Sequence, residues 1–172
     1  MNKNLIVFFS HNKENYVSGT IKDLKVGNTK IVAEKLKHLI NADVFEIKPL
    51  HEYPYDYNEC TKRAKTEQVM DERPKINNIL NHIEEYDNIY LGYPNWWSTM
   101  PMIVWTFLES YDLSGKHIYP ICTHEGSEMG TSEKDLKKLC PNSVIHKGLA
   151  IKGSTVQNCD ERLKQWLKDG GK

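Results

Sequence analysis

Neither sign of charge is in surplus: Lys and Arg together number 23, Asp and Glu number 23, and the formal net charge is zero. No global field therefore draws the chain to nucleic acid or to an anionic membrane. Long apolar runs are also missing. None approaches the roughly 20 residues a membrane helix needs, and the opening Met1-Asn2-Lys3-Asn4-Leu5 is too short and too polar for a secretory signal. The four cysteines, Cys60, Cys122, Cys140 and Cys159, form no C-x-x-C pair. That spacing argues against a zinc site, and no metal is expected. Without a secretion signal, reduced thiols in a cytoplasmic protein are the expectation. Neither G-x-G-x-x-G nor G-x-x-x-x-G-K-[ST] occurs, so a dinucleotide fingerprint and a P-loop are both unsupported. Repeats, linkers and low-complexity tracts are absent, and one domain over residues 1–172 is expected.

What is present is alternation. Leu5-Ile6-Val7-Phe8-Phe9 reads as a strand buried on both faces. Val32, Leu36, Leu39 and Ile40 then make one stripe of a helix that starts near Asn28. Asp43 to Ile47 alternates like a peripheral strand, and helices are predicted near 57–71 and 76–86. A strand over 88–92, a helix over 102–111 with Pro101 at its start, and a strand over 117–122 follow. Thr131-Ser132-Glu133 carries helix-opening chemistry, 144–151 reads as a fifth strand, and Leu163, Trp166 and Leu167 line a last helix. Five strands alternating with helices predict a parallel sheet covered on both faces.

In such a sheet ligands bind beyond the carboxyl ends of the strands, at the switch in strand order. Three connections end there. Residues 93–100 hold two adjacent indoles, Trp96 and Trp97, which lose solvation unless something flat covers them, so a planar aromatic cofactor is the simplest occupant. Residues 10–28 form a strand-to-helix loop far longer than the usual 2–6 residues. Ser10, His11 and Asn12 leave its strand, and Asn28 and Thr29 open its helix, where free N–H groups and the dipole favour a phosphate. Ordinary helix capping would use the same two residues. Residues 123–130 carry Gly126 and Gly130, which permit close backbone approach or merely a flexible turn.

Taken together, Gly92-Tyr93-Pro94-Asn95-Trp96-Trp97-Ser98-Thr99-Met100-Pro101 and Cys122-Thr123-His124-Glu125-Gly126-Ser127-Glu128-Met129-Gly130 resemble the flavodoxin family. Weaker agreement comes from Tyr57-Asn58-Glu59-Cys60 and Lys138-Leu139-Cys140-Pro141. The resemblance implies an α/β, flavodoxin-like three-layer sandwich with a five-stranded parallel sheet of order 2-1-3-4-5. It further implies non-covalently bound FMN, its phosphate cradled by Ser10, Asn12, Asn28 and Thr29, with His11 beside them. Pro94, Asn95, Trp96 and Trp97 would lie along the isoalloxazine, and Thr123, Glu125, Gly126 and Ser127 would border its other edge. No catalytic residue is assigned. The family's phosphate loop is interrupted here by an insertion, and Lys13 to Lys25 read equally as a flap over the phosphate or as an excursion.

Electron transfer through the flavin is the activity this implies, with a redox partner protein or a small quinone-like acceptor. Many electron-carrying members are acidic and this chain is balanced. The Thr123 loop also lacks the tyrosine that often covers the second ring face. An FMN-dependent NAD(P)H:quinone or nitro reductase is therefore the alternative, and a non-catalytic regulatory domain of the same fold a third reading. A phospho-acceptor receiver would need acidic strand ends where Phe9-Ser10 and Tyr93-Pro94 stand. A monomer or a homodimer fits equally.

Overall fold

Residues 3–170 are described by a computed structural model. Four strands form the sheet's continuous part: β1 (Asn4–Phe8), β4 (Asp43–Glu46), β5 (Asn88–Pro94) and β6 (His117–His124). The edge beyond β6 is shared by β7 (Val144–Ile145) and β8 (Leu149–Lys152), giving the order β4-β1-β5-β6-β7/β8 with every pairing parallel. Counting parallel strands along the chain, that is the 2-1-3-4-5 order, with its fifth strand in two pieces. Two strands stand apart from it. β2 (Lys13–Val17) and β3 (Thr20–Leu24) pair antiparallel around Ser18 and Gly19, whose φ of 50° and 87° have the signs of a type I′ hairpin turn.

Alternation along the strands sorts the core into two layers. Leu5, Val7, Phe9, Ile89, Leu91 and Tyr93 face one side, against α2 (Tyr57–Val69), α3 (Met102–Glu109) and α4 (Ser132–Leu139). Ile6, Phe8, Ile121 and Ile151 face the other, against α1 (Asn28–Leu39) and α5 (Asp160–Lys168), which supply Val32, Leu36, Leu163 and Trp166. Leu36 and Leu163 are fully buried, each stabilising the layer by about 1.5–3 kcal/mol. All four cysteines are free and buried, and burial pushes the Cys60 thiol up to about 12.

Two expectations are corrected. Residues 76–86 are not a helix: only Ile83–Glu85 makes a 3-10 turn, and Ile76 instead bridges Pro49. Asn78 decides this by acting as backbone. Its amide donates to the Glu46 carbonyl at 2.8 Å and its oxygen accepts from Lys48 N at 3.0 Å, prolonging the β4 edge. The fifth strand is broken because Pro120 sits in β6. The carbonyls of Lys116 and Ile118 accept from the edge strand, so Pro120, in the same alternation, faces that edge without an N–H to offer. Past His146, whose N–H still donates to the Ile118 carbonyl, the chain bonds elsewhere, with Gly148 N donating to Glu133 at 2.7 Å and Trp166 Nε1 to the Lys147 carbonyl at 3.0 Å.

Candidate functional site

Beyond the carboxyl ends of β1, β5 and β6 lies a cleft of about 420 Å³, within the size range of small-molecule sites. Its floor is the start of α1. Gly27 precedes that helix without a side-chain cap, and Ser10 Oγ replaces one by accepting from Lys30 N at 3.0 Å. Any side chain at residue 27 would collide with Ser10 and His11, so glycine is what lets the loop close on the helix. Thr29 is buried and its hydroxyl meets that of Thr123 at 2.8 Å, tying the helix start to the end of β6.

One wall is the turn after β5. Trp96 and Thr99 exchange backbone hydrogen bonds of 2.9 and 3.3 Å around Trp97 and Ser98, whose φ values are 52° and 69°. Both central residues thus occupy the left-handed region that non-glycine residues avoid, at a cost of about 1–2 kcal/mol each. Neighbours hold them there. Asn95 Oδ1 accepts from Ser98 N, Asn95 N and Nδ2 donate to the carbonyls of Thr123 and Glu128, and Gln68 Nε2 donates to the Trp97 carbonyl. Thr131 N closes the set at 2.6 Å from the Ser98 carbonyl, an approach that a side chain on Gly130 would block.

The two indoles have different jobs. Trp96 is packed edge-on against Tyr53 (4.9 Å between ring centroids), Phe9 (5.4 Å) and His11 (5.7 Å). Tyr53 is itself fixed by Glu67, which accepts its hydroxyl at 2.8 Å and is paired with Arg63. Trp97 is 48% exposed at the mouth, its Nε1 donating to the Thr61 carbonyl at 2.9 Å.

The opposite wall is the loop after β6. Gly126 has φ of 146°, open to glycine alone, and its N–H donates to His124 Nδ1 at 2.9 Å. That bond makes Nδ1 the acceptor, and burial holds the His124 pKa below its ordinary value. Glu125 accepts from two backbone N–H groups, Ser154 at 2.7 Å and Ser18 at 3.2 Å. His11 is only 9% exposed and its Nε2 is buried with no partner. Burial first, and Lys13 second, lower its pKa to about 4, so the ring is neutral near pH 7.

The residues singled out in the sequence divide in space. His11, Asn28, Thr29, Pro94, Asn95, Trp96, Trp97, Thr123, Glu125 and Ser127 line the cleft. Ser10 and Asn12 face a second cavity of about 400 Å³ behind the loop, among Lys13, Lys25, Lys30 and Lys48, which His11 also lines. Gly126 lines neither. The cleft also takes Tyr57, Cys60, Thr61 and Ala64 from α2, and Glu14, Asn15 and Tyr16 from the hairpin. The α2 set has helical spacing and was readable as a stripe, whereas nothing local in the insertion announces which way the hairpin turns. Among the described residues, no group of three or more His, Cys, Asp or Glu is placed to hold a metal, and no helix is long and apolar enough to cross a membrane.

The donor set fits a flat ring carrying an anionic tail. A helix start, an unpartnered buried imidazole packed beside Trp96, and further indole and tyrosine surface share the one cleft. The family model described as Flavodoxin matches residues 23–170. A putative flavoprotein from Bacteroides eggerthii DSM 20697 is 29% identical, with 98% of each chain covered and a TM-score of 0.79. Another, from Bacteroides uniformis ATCC 8492, is 29% identical over 97% of this chain and 98% of its own, with a TM-score of 0.76. A flavoprotein from Lactobacillus acidophilus NCFM, solved in complex with FMN, shares the fold at 19% identity, with 97% and 99% coverage and a TM-score of 0.67. No functionally curated protein matches the chain.

Proposed function

The chain belongs to the flavodoxin family, and from that premise we propose that it holds FMN non-covalently in the cleft and passes electrons through it to a redox partner. The single observation that carries this reading is the cleft itself. A strained indole turn and a glycine turn face each other across the sheet's switch point, with an open helix start beneath. Bound there, FMN supplies reversible redox chemistry, while the protein sets its access and potential.

The chain's own residues divide the work. The N–H groups opening α1, with Asn28 and Thr29, receive the phosphate, and neutral His11 offers one hydrogen bond without adding charge. Trp96, clamped by Tyr53 and Phe9, gives the ring a rigid apolar border, and Trp97 covers it toward solvent. Exclusion of water along these indoles disfavours added negative charge on the ring and so favours a low potential. The Gly126 N–H is held by His124, so the peptide that can turn toward the ring edge is the next one, between Gly126 and the cleft residue Ser127, where no side chain on Gly126 resists rotation.

A second reading, an NAD(P)H-dependent quinone or nitro reductase, is favoured by the aromatic surface that Tyr16, Tyr57 and Trp97 leave at the cleft mouth, which suits a flat small acceptor. An absorbance spectrum of the purified protein, with the released cofactor identified by mass, tests the first claim. Colourless protein that leaves the fluorescence of added FMN unquenched would overturn it. Steady-state oxidation of NADPH with and without a quinone then separates reductase from carrier.

A further inference from the structure

We propose that the β2–β3 hairpin is the outer wall of the cofactor cleft and that Glu125 is the positioning residue that keeps it closed over bound FMN. The inference rests on the FMN reading and adds what retains the cofactor. The hairpin is well anchored at its base. Lys13 Nζ donates to the Tyr53 carbonyl at 3.1 Å, Glu14 N to the Tyr55 carbonyl at 3.3 Å, and Tyr57 N to Glu14 Oε2 at 2.9 Å.

Its tip is held differently. Of the hairpin residues only Val17 is buried, and a two-stranded ribbon is marginally stable by itself. The bond that carries the tip across to the far wall is Ser18 N to Glu125 Oε2, 3.2 Å. Glu125 Oε1 is meanwhile fixed by Ser154 N at 2.7 Å, on the turn after β8. One carboxylate therefore joins the insertion to the opposite side of the cleft, with both oxygens engaged by N–H donors. Between base and tip, Tyr16 lines the cleft with its ring 6.4 Å from that of Tyr57. It thereby supplies aromatic cover that the loop after β6 lacks. Residues 13–24 thus behave as a flap rather than an excursion.

FMN release from the loaded protein, followed by fluorescence recovery after dilution, tests this. Glu125→Ala removes both acceptors and should speed release about tenfold, the scale of one charge-assisted hydrogen bond. Glu125→Gln keeps one acceptor and should fall between. Tyr16→Ala should also speed release, and Tyr16→Ala/Glu125→Ala should be no faster than the faster single variant, since both act through one wall. In the apo-protein, amide exchange at Ser18 should quicken in Glu125→Ala while exchange at Leu91 in the sheet is unchanged. Release within twofold of wild type in Glu125→Ala, or unchanged Ser18 exchange, would overturn the proposal. Failure of the wild type to take up FMN would sink the parent reading instead, and Ser18 exchange would still decide whether Glu125 holds the flap.

Discussion

His11 shows how much one side chain can be asked to carry. Its Nε2 is buried without a partner, and its pKa falls from 6.5 to about 4 on folding. Between those values the unfolded chain binds a proton that the folded chain refuses. The stability linked to His11 is therefore whole above pH 6.5 and drains away as pH falls toward 4, by about 2–3 kcal/mol at pH 4.5. Urea unfolding of apo-protein at pH 7 and pH 4.5 should show this drop, and His11→Gln should shrink it by about that amount. In the sequence His11 was visible only as a loop histidine beside a strand end. Its isolation arises from Trp96 and Tyr53, which reach it from distant segments, so no local pattern could announce it. The indoles make the same point. They read as an equivalent pair, yet Trp96 belongs to a buried aromatic cluster and Trp97 to the mouth.

At the scale of the element, the turn of Trp96 to Thr99 stores the strain. Ser98 has φ of 69° and no side-chain bond of its own, its backbone doing the work through Asn95 and Thr131. Ser98→Gly should relieve about 1 kcal/mol, raising the melting temperature of the apo-protein by roughly 2–4 °C. Unchanged or lowered melting would mean the turn is not strained. The motif around the indoles was legible, but its left-handed conformation was not, because Gln68 and Gly130 enforce it from other parts of the chain. The predicted helix over 76–86 failed for a related reason. Its apolar spacing was helical, and one asparagine side chain recruited as an extension of β4 outweighed it. The other predicted helices formed as read, and two of them, α1 and α5, bury Val32, Leu36, Leu163 and Trp166 against one face of the sheet.

For the whole molecule, the balance of 23 basic and 23 acidic residues limits long-range steering. Electron delivery to a charged partner should change by no more than about threefold between roughly 50 and 500 mM salt. A steep salt dependence in stopped-flow measurements would reveal a local patch that the totals conceal. A parallel sheet covered on both faces was legible from the buried strands and the alternating helices, whereas its strand order came only with the resemblance of the two loop motifs to flavodoxins. The division of the last strand was not read, although its cause, Pro120, stood in plain view within β6. That proline also bears on how the protein behaves in a crowd. An unbroken outer strand offers a row of free peptide groups to which a stranger's backbone can zip. With one rung removed, only short stubs of two and four residues remain on that side, and the rim is a poor template for aggregation.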